Sequence, residues 1–378
     1  MVNFLKKNHL FGNGLVSGGQ YFHVRCGAHI LNLIVQEGLK VISNALFKIR
    51  ESVKYFSGSD ARKSTFASCL DQIFYSKSSK RVRQDVPNRW NFTYLMLENA
   101  IGFREVYTHL CDIEPNFYSC PSEEEWNDLE KVANFLKPFY DITVLFSGTS
   151  YPTANLYFFN VWKIQVSLRD ACTYDDRDDL ICRMAKEMKG KFEKYWDSYS
   201  VILSFAVILD PRYKLCLVEF CYVKLYGQDV FRKAKEFYEK FNYFLLEYIQ
   251  IQSSQVEKHL FDSQPKRGSP SISYANDLDE FGEFQHATYG STSNESDLKA
   301  YMDEKMRDYR EDLDILESWK SVEFKYMARD ILSVPITTVA SESAFNIGGS
   351  ILDKYRSCLL PENLEALLCT NDWLHGTP

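Results

Sequence analysis

A chain of 378 residues that is 45% hydrophobic and 15% aromatic is too apolar to be disordered and long enough to bury a substantial core. Lys plus Arg total 44 against 51 Asp plus Glu, a formal charge of −7, so any nucleic-acid contact has to come from a local basic patch and not from a global field. The ten cysteines form no CxxC pair, and neither an export signal nor an 18-residue apolar run stands out; this predicts free thiols in a reducing compartment and no membrane span.

The first twenty residues are rich in Gly and Asn. Tyr21 to Cys26 alternates and predicts a strand, and Gly27 to Gly38, apolar at Ile30, Leu33 and Ile34, predicts the helix it feeds. Cys26 and His29 have the spacing of half a zinc site. No second Cys/His pair stands at finger spacing, which favours a buried thiol and a hydrogen-bonded histidine. Asn44 to Phe74 reads as helical with a basic face of Lys48, Arg50, Lys54, Arg62 and Lys63. Lys77, Lys80, Arg81, Arg83 and Arg89 then cluster around a Ser-rich loop. Dense local cations suffice to hold phosphates, and a solvated surface loop is the alternative reading. Arg89 and Trp90 admit two readings as well: a phosphate clamp beside a base-stacking ring, or a helix cap beside a core residue.

From 90 to 250 the spacing is almost wholly that of packed helices. One stripe is Trp126, Leu129, Val132, Leu136 and Phe139; a second is Ile181, Met184, Met188, Phe192 and Tyr195; a third is Phe237, Phe241, Phe244 and Tyr248. Asp210 before Pro211 reads as a turn initiator. Residues 251–297 are serine-rich and poor in aliphatics, as in a flexible linker. Tyr301 to Trp319 predicts a helix with a short seam of Met302, Met306, Tyr309, Leu313 and Leu316. Three short helices close the chain. Met327 to Leu332 stops before Pro335, and Thr337 or Thr338 caps a second that has Glu342 in its first turn and Gly348-Gly349 at its end. The third starts at Leu360-Pro361 and aligns Leu360, Leu364, Leu367, Leu368 and Leu374, a face that the rest of the chain or a second copy must cover.

The run Met327-Ala328-Arg329-Asp330-Ile331-Leu332, followed by Thr338-Val339-Ala340-Ser341-Glu342-Ser343-Ala344-Phe345, Arg356 and Trp373-Leu374, closely resembles the C-terminal dimerisation region of hAT-superfamily transposases of the plant sleeper type. Phe22 to Leu39, Arg89-Trp90 and the Leu209-Asp210-Pro211-Arg212-Tyr213-Lys214 run are similar to further segments of that family, though Asn88 and Phe92 depart from its pattern. The resemblance implies an α/β fold with predominant α: a partial RNase H-like core with a large helical insertion over residues 1–250, a linker over 251–297 and a C-terminal helical dimerisation region over 298–378. It implies that Arg89 and Trp90 lie near the active site and DNA ends in active relatives, and that Glu342 is the last carboxylate of an Asp-Asp-Glu triad. The first two aspartates precede the Cys-x-x-His helix in the family, whereas no Asp or Glu precedes Glu37 here, and no BED-type finger is seen. The expectation is a non-catalytic nuclear homodimer that binds DNA, with no metal or other cofactor, no small-molecule substrate and no membrane contact. The alternatives are an active metal-dependent transposase or nuclease with relocated carboxylates, for instance Asp60 or Asp85, and a fragment with no stable role.

Overall fold

The computed structural model describes residues 15–74, 81–148, 151–173, 179–196, 200–227, 230–262, 298–319 and 325–338, together with residues 4 and 6 and scattered positions from 362 to 370. Helices dominate them. In chain order these are α1 (Gly27–Leu39), α2 (Ser43–Ser57), α3 (Asp60–Phe74), α4 (Trp90–Ile101), α5 (Arg104–Ile113), α6 (Glu123–Phe146) and α7 (Ala154–Thr173). They continue with α8 (Leu180–Trp196), α9 (Val201–Ile208), α10 (Lys214–Tyr226), α11 (Val230–Asp262), α12 (Ile315–Ser318) and α13 (Lys325–Leu332).

The sequence stripes become the core. Trp126, Leu129, Val132, Leu136 and Phe139 are all buried on α6. Met184, Met188 and Phe192 are buried on α8, as are Phe237, Phe241 and Phe244 on α11. Helix α6 starts with a capping box, in which the Ser122 hydroxyl accepts from the Glu125 N–H and the Glu125 carboxylate accepts from the Ser122 N–H. Helix α9, VILSFAVI, is apolar on every side because it is enclosed by α7, α10 and α13. Helix α1 lies against α8 closely enough that a Cβ on Gly38 would sit 2.6 Å from Met188.

Two expectations need correction. Tyr21 to Cys26 is not a strand: it passes through a turn into extended chain ahead of α1. Strand residues need a neighbouring strand for their N–H and C=O groups, and here the neighbours are helices, with Tyr21 packed edge-on against Phe205 of α9 and Phe244 of α11. Among the described residues the single β pairing is an isolated bridge between Val86 and Arg89. Asn44 to Phe74 is helical as expected, in two helices separated at Gly58 and Ser59. Last, Tyr301 to Trp319 is not one helix. Helical residues 298–303 give way to irregular chain, Met306 and Tyr309 are exposed, and helix returns only in α12.

The reason for the last lies in the Asp210 turn. Asp210 is fully buried and initiates the turn expected of it, accepting from the Arg212 backbone N–H at 3.1 Å. Its carboxylate also holds the Arg212 guanidinium at 2.8 Å and the Asn155 amide at 3.0 Å. The 298–319 segment wraps this turn. Lys214 donates to the carbonyls of Tyr301 and Glu304, Arg212 to that of Glu311, and the Arg307 N–H to that of Pro211. In return Tyr301 donates to Ile208 O and Trp319 Nε1 to Leu209 O. Carbonyls engaged in this way override the local helical periodicity.

The stretch Gly27–Ser57 does reach the length and apolar content of a membrane span, contrary to the sequence reading. It is broken by a 3-10 turn at Lys40–Ile42, and half of its most apolar 18-residue window is buried within the protein.

Candidate nucleic-acid interface

The basic face expected on 44–74 is largely neutralised. Lys48 pairs with Glu125 at 2.7 Å, Arg50 with Asp85 at 2.8 Å, Lys54 with Glu51 at 2.6 Å and Lys63 with Asp60 at 2.9 Å. The Arg62 guanidinium lies over the Tyr55 ring, 4.0 Å from its centroid.

Residues 81–89 are different. Arg81, Arg83 and Arg89 are exposed, and none forms an ion pair with a described residue. Their backbone is nevertheless pinned. Asn99 on α4 accepts from the Arg83 N–H at 3.0 Å and donates to the Arg81 carbonyl at 3.3 Å. The Arg89 N–H closes a tight turn onto Val86 O at 2.8 Å. Gln36 on α1 donates to Pro87 O at 2.9 Å, and Asn32 accepts the Trp90 N–H at 3.0 Å. Asp85, the carboxylate inside the stretch, is consumed by Arg50 and by the Thr93 hydroxyl at 3.0 Å. The result is a strap with a pinned backbone and three exposed guanidiniums that pair with no carboxylate among the described residues. Sequence reading missed Asn32, Gln36 and Asn99, whose only signal was being amides on otherwise apolar helices. Lys77 and Lys80 lie outside the described residues.

Trp90 does not join the arginines at the surface. Its side chain is 1% exposed, and its ring packs edge-on against Tyr94 and Tyr140. An enclosed ring offers no face to a base, so of the two readings of Trp90 the core residue fits this geometry. Arg89 is the N-cap residue of α4 without a capping side-chain hydrogen bond, as a donor-only guanidinium requires, and its side chain is exposed.

The C-terminal run enters the body beside Cys26. The Gly27 N–H donates to Ile336 O at 2.8 Å, and Thr337 donates to Phe146 O at 3.3 Å. The Thr338 hydroxyl lies 3.5 Å from the Cys26 sulfur. The family-matching segments around residues 26 and 338 therefore meet in space. Glu342 itself lies outside the described residues, as do Leu360, Leu364, Leu368 and Leu374; Leu367 is described and is 45% exposed. His29 is exposed one turn into α1, and among the described residues no three His, Cys, Asp or Glu side chains group together.

Three family profiles cover most of the chain: the ZBED1 RNase-like helical domain at residues 24–135, the hAT-like transposase RNase-H fold at 155–248 and the hAT family C-terminal dimerisation region at 297–374. The chain belongs to the hAT transposase-like family. It is 34% identical to the Oryza sativa zinc finger BED domain-containing protein RICESLEEPER 2 over 97% of this chain and 52% of that protein. It is 35% identical to a putative AC transposase of Zea mays over 96% of this chain and 45% of the relative, and 32% identical to Arabidopsis thaliana DAYSLEEPER over 79% and 41%. The chain thus spans about half the length of the curated relatives it matches. The hAT assignment places the free-arginine strap in the RNase-like helical part and the leucine face in the dimerisation region. It also shows that the Asp210 turn joins the RNase-H-fold segment to the start of the dimerisation region.

Proposed function

We propose that this chain is a domesticated hAT transposase relative that dimerises through its C-terminal region and grips DNA in the nucleus without cutting it. The observation that carries the DNA reading is the strap: Arg81, Arg83 and Arg89 are exposed and pair with no carboxylate among the described residues, while Lys48 and Arg50 of the neighbouring helix are paired. Exposed guanidiniums on a pinned backbone suit phosphate oxygens, and a local patch of this kind supplies the field that a chain of net charge −7 lacks. Such contacts position the protein on a duplex without reading its sequence.

The non-cutting part rests on the acidic groups. A two-metal transfer of a phosphoryl group needs convergent carboxylates. Asp60 and Asp85, weighed as relocated ligands, are engaged by Lys63 and Arg50 respectively. The dimer reading rests on the leucine face and the matched dimerisation region. No small molecule and no cofactor enter this account.

Incubation of the full chain with a labelled duplex and Mg²⁺ or Mn²⁺ tests the proposal. Retention of uncut DNA is expected. Metal-dependent nicking that disappears in Glu342→Gln would overturn the non-catalytic reading and restore the nuclease alternative.

A further inference from the structure

The face shared by α7 and α10 carries a pattern that the duplex strap does not use. On α7, Phe159 and Trp162 stack with ring centroids 5.3 Å apart and 15° between planes. Trp162 continues to Phe220 of α10, 5.8 Å away. The indole is fixed by a hydrogen bond from Trp162 Nε1 to Cys221 O at 3.0 Å. The two helices are tied again where Arg169 donates to Lys224 O at 2.8 Å. Phe220 and Val223 are exposed, while Phe159 and Trp162 are half-buried.

Two of the rings carry a lysine one turn further along the helix. The Lys163 ammonium is 4.6 Å from the Phe159 centroid and that of Lys224 is 6.0 Å from the Phe220 centroid. Neither lysine forms an ion pair with a described residue. Of the carboxylates beside them, Asp170 is taken by Arg169 at 2.9 Å, and Glu219 is exposed next to Phe220.

The combination selects its occupant. An apolar protein surface would cover the rings but strip water from two ammoniums without replacing it, which is costly. A folded duplex has phosphates for the ammoniums but keeps its base faces in its own stack. An unpaired strand offers both a π face for the exposed Phe220 ring and a phosphate for each of the two lysines. We propose that the Phe159–Trp162–Phe220 face binds an unpaired nucleic-acid strand, with a base stacking on the exposed Phe220 ring, which Trp162 and Phe159 back from behind, and phosphates held by Lys163 and Lys224. This inference is independent of the duplex strap and goes beyond it.

The test uses the full chain and a labelled 20-residue oligothymidylate, read by fluorescence anisotropy at fixed salt, with a labelled duplex in parallel. Phe220→Ala removes one stacking platform and is expected to weaken oligothymidylate binding about tenfold. Lys163→Glu with Lys224→Glu is expected to weaken it at least as much, and both variants should leave duplex binding and thermal unfolding unchanged. Reversal of charge at Arg81, Arg83 and Arg89 is expected to do the converse, so a wild-type chain that binds oligothymidylate but not the duplex counts against the strap and not against this face. The proposal is overturned if the wild-type chain ignores oligothymidylate or if both variants bind it as the wild type does. It is also overturned if the variants instead lower the mass in solution, which would mean that a second copy covers the face.

Discussion

The backbone N–H of Gly27 donates to the carbonyl of Ile336 at 2.8 Å, and a Cβ added to Gly27 would lie 2.6 Å from Ile336 Cγ2. The start of α1 and the entry to the C-terminal run are therefore built to one another's shape. Gly27→Ala forces a methyl group into a filled space, and overpacking of this kind costs about 1–3 kcal/mol. Denaturant unfolding should show that loss, and Gly27→Ala combined with Ile336→Ala should recover part of it. Full additivity of the two substitutions would mean that the contact does not matter.

The Asp210 carboxylate is fully buried, while the Arg212 side chain it holds is 14% exposed. Asp210→Ala leaves that guanidinium and the Asn155 amide without their acceptor. Breaking a buried pair from one side costs about 3–5 kcal/mol. The expected readout is a lower midpoint in guanidinium chloride. Because the 298–319 segment wraps this turn, its hydrogen-exchange protection should fall in the same variant.

Burial by itself would raise the Glu125 carboxyl, but the Lys48 ammonium and the Ser122 backbone N–H outweigh it and hold the group below the ordinary carboxylate value. A depressed carboxyl contributes stability that is present above its unfolded pKa, about 4.3, and is lost as pH falls through the lower folded value. Wild type should therefore exceed Glu125→Gln in stability at neutral pH, with the gap closing in the acid range below pH 4. A gap of constant size down to pH 2 would contradict this assignment.

How much of this could be read beforehand depended on whether local pattern and tertiary contact agreed. They agree on α6, α8 and α11, where the stripes through Trp126, Met188 and Phe241 are buried as the 3.6-residue period requires. They disagree at residues 304–314, where the seam of Met302, Met306 and Tyr309 mimics a helix but the carbonyls are claimed by Arg212 and Lys214. They disagree at Tyr21 to Cys26 too, where alternation suggested a strand but aromatic contacts with Phe205 and Phe244 hold the chain among helices. At the strap the clustered charges were legible, but which cations stay free was not. That depends on Asp85 and Glu125 arriving from other elements to take Arg50 and Lys48. The C-terminal motifs, from the Met-Ala-Arg-Asp run onward, carried the family directly.

Leu367 has 45% of its surface in water and lies in a segment matched to a dimerisation region. The account predicts a dimer in solution at micromolar concentration. Leu367→Glu should shift it to monomer without lowering the helix content seen by circular dichroism. A monomeric wild type in sedimentation equilibrium would contradict the dimer.

The most direct test of the central claim is the salt dependence of duplex affinity for the full chain and for Arg81→Glu, Arg83→Glu, Arg89→Glu combined. Each phosphate contact adds about 0.9 to the slope of log affinity against log salt. The account predicts that the triple variant loses most of its duplex affinity and that the slope falls by roughly 2 to 3. An unchanged slope and affinity would show that the strap does not touch DNA.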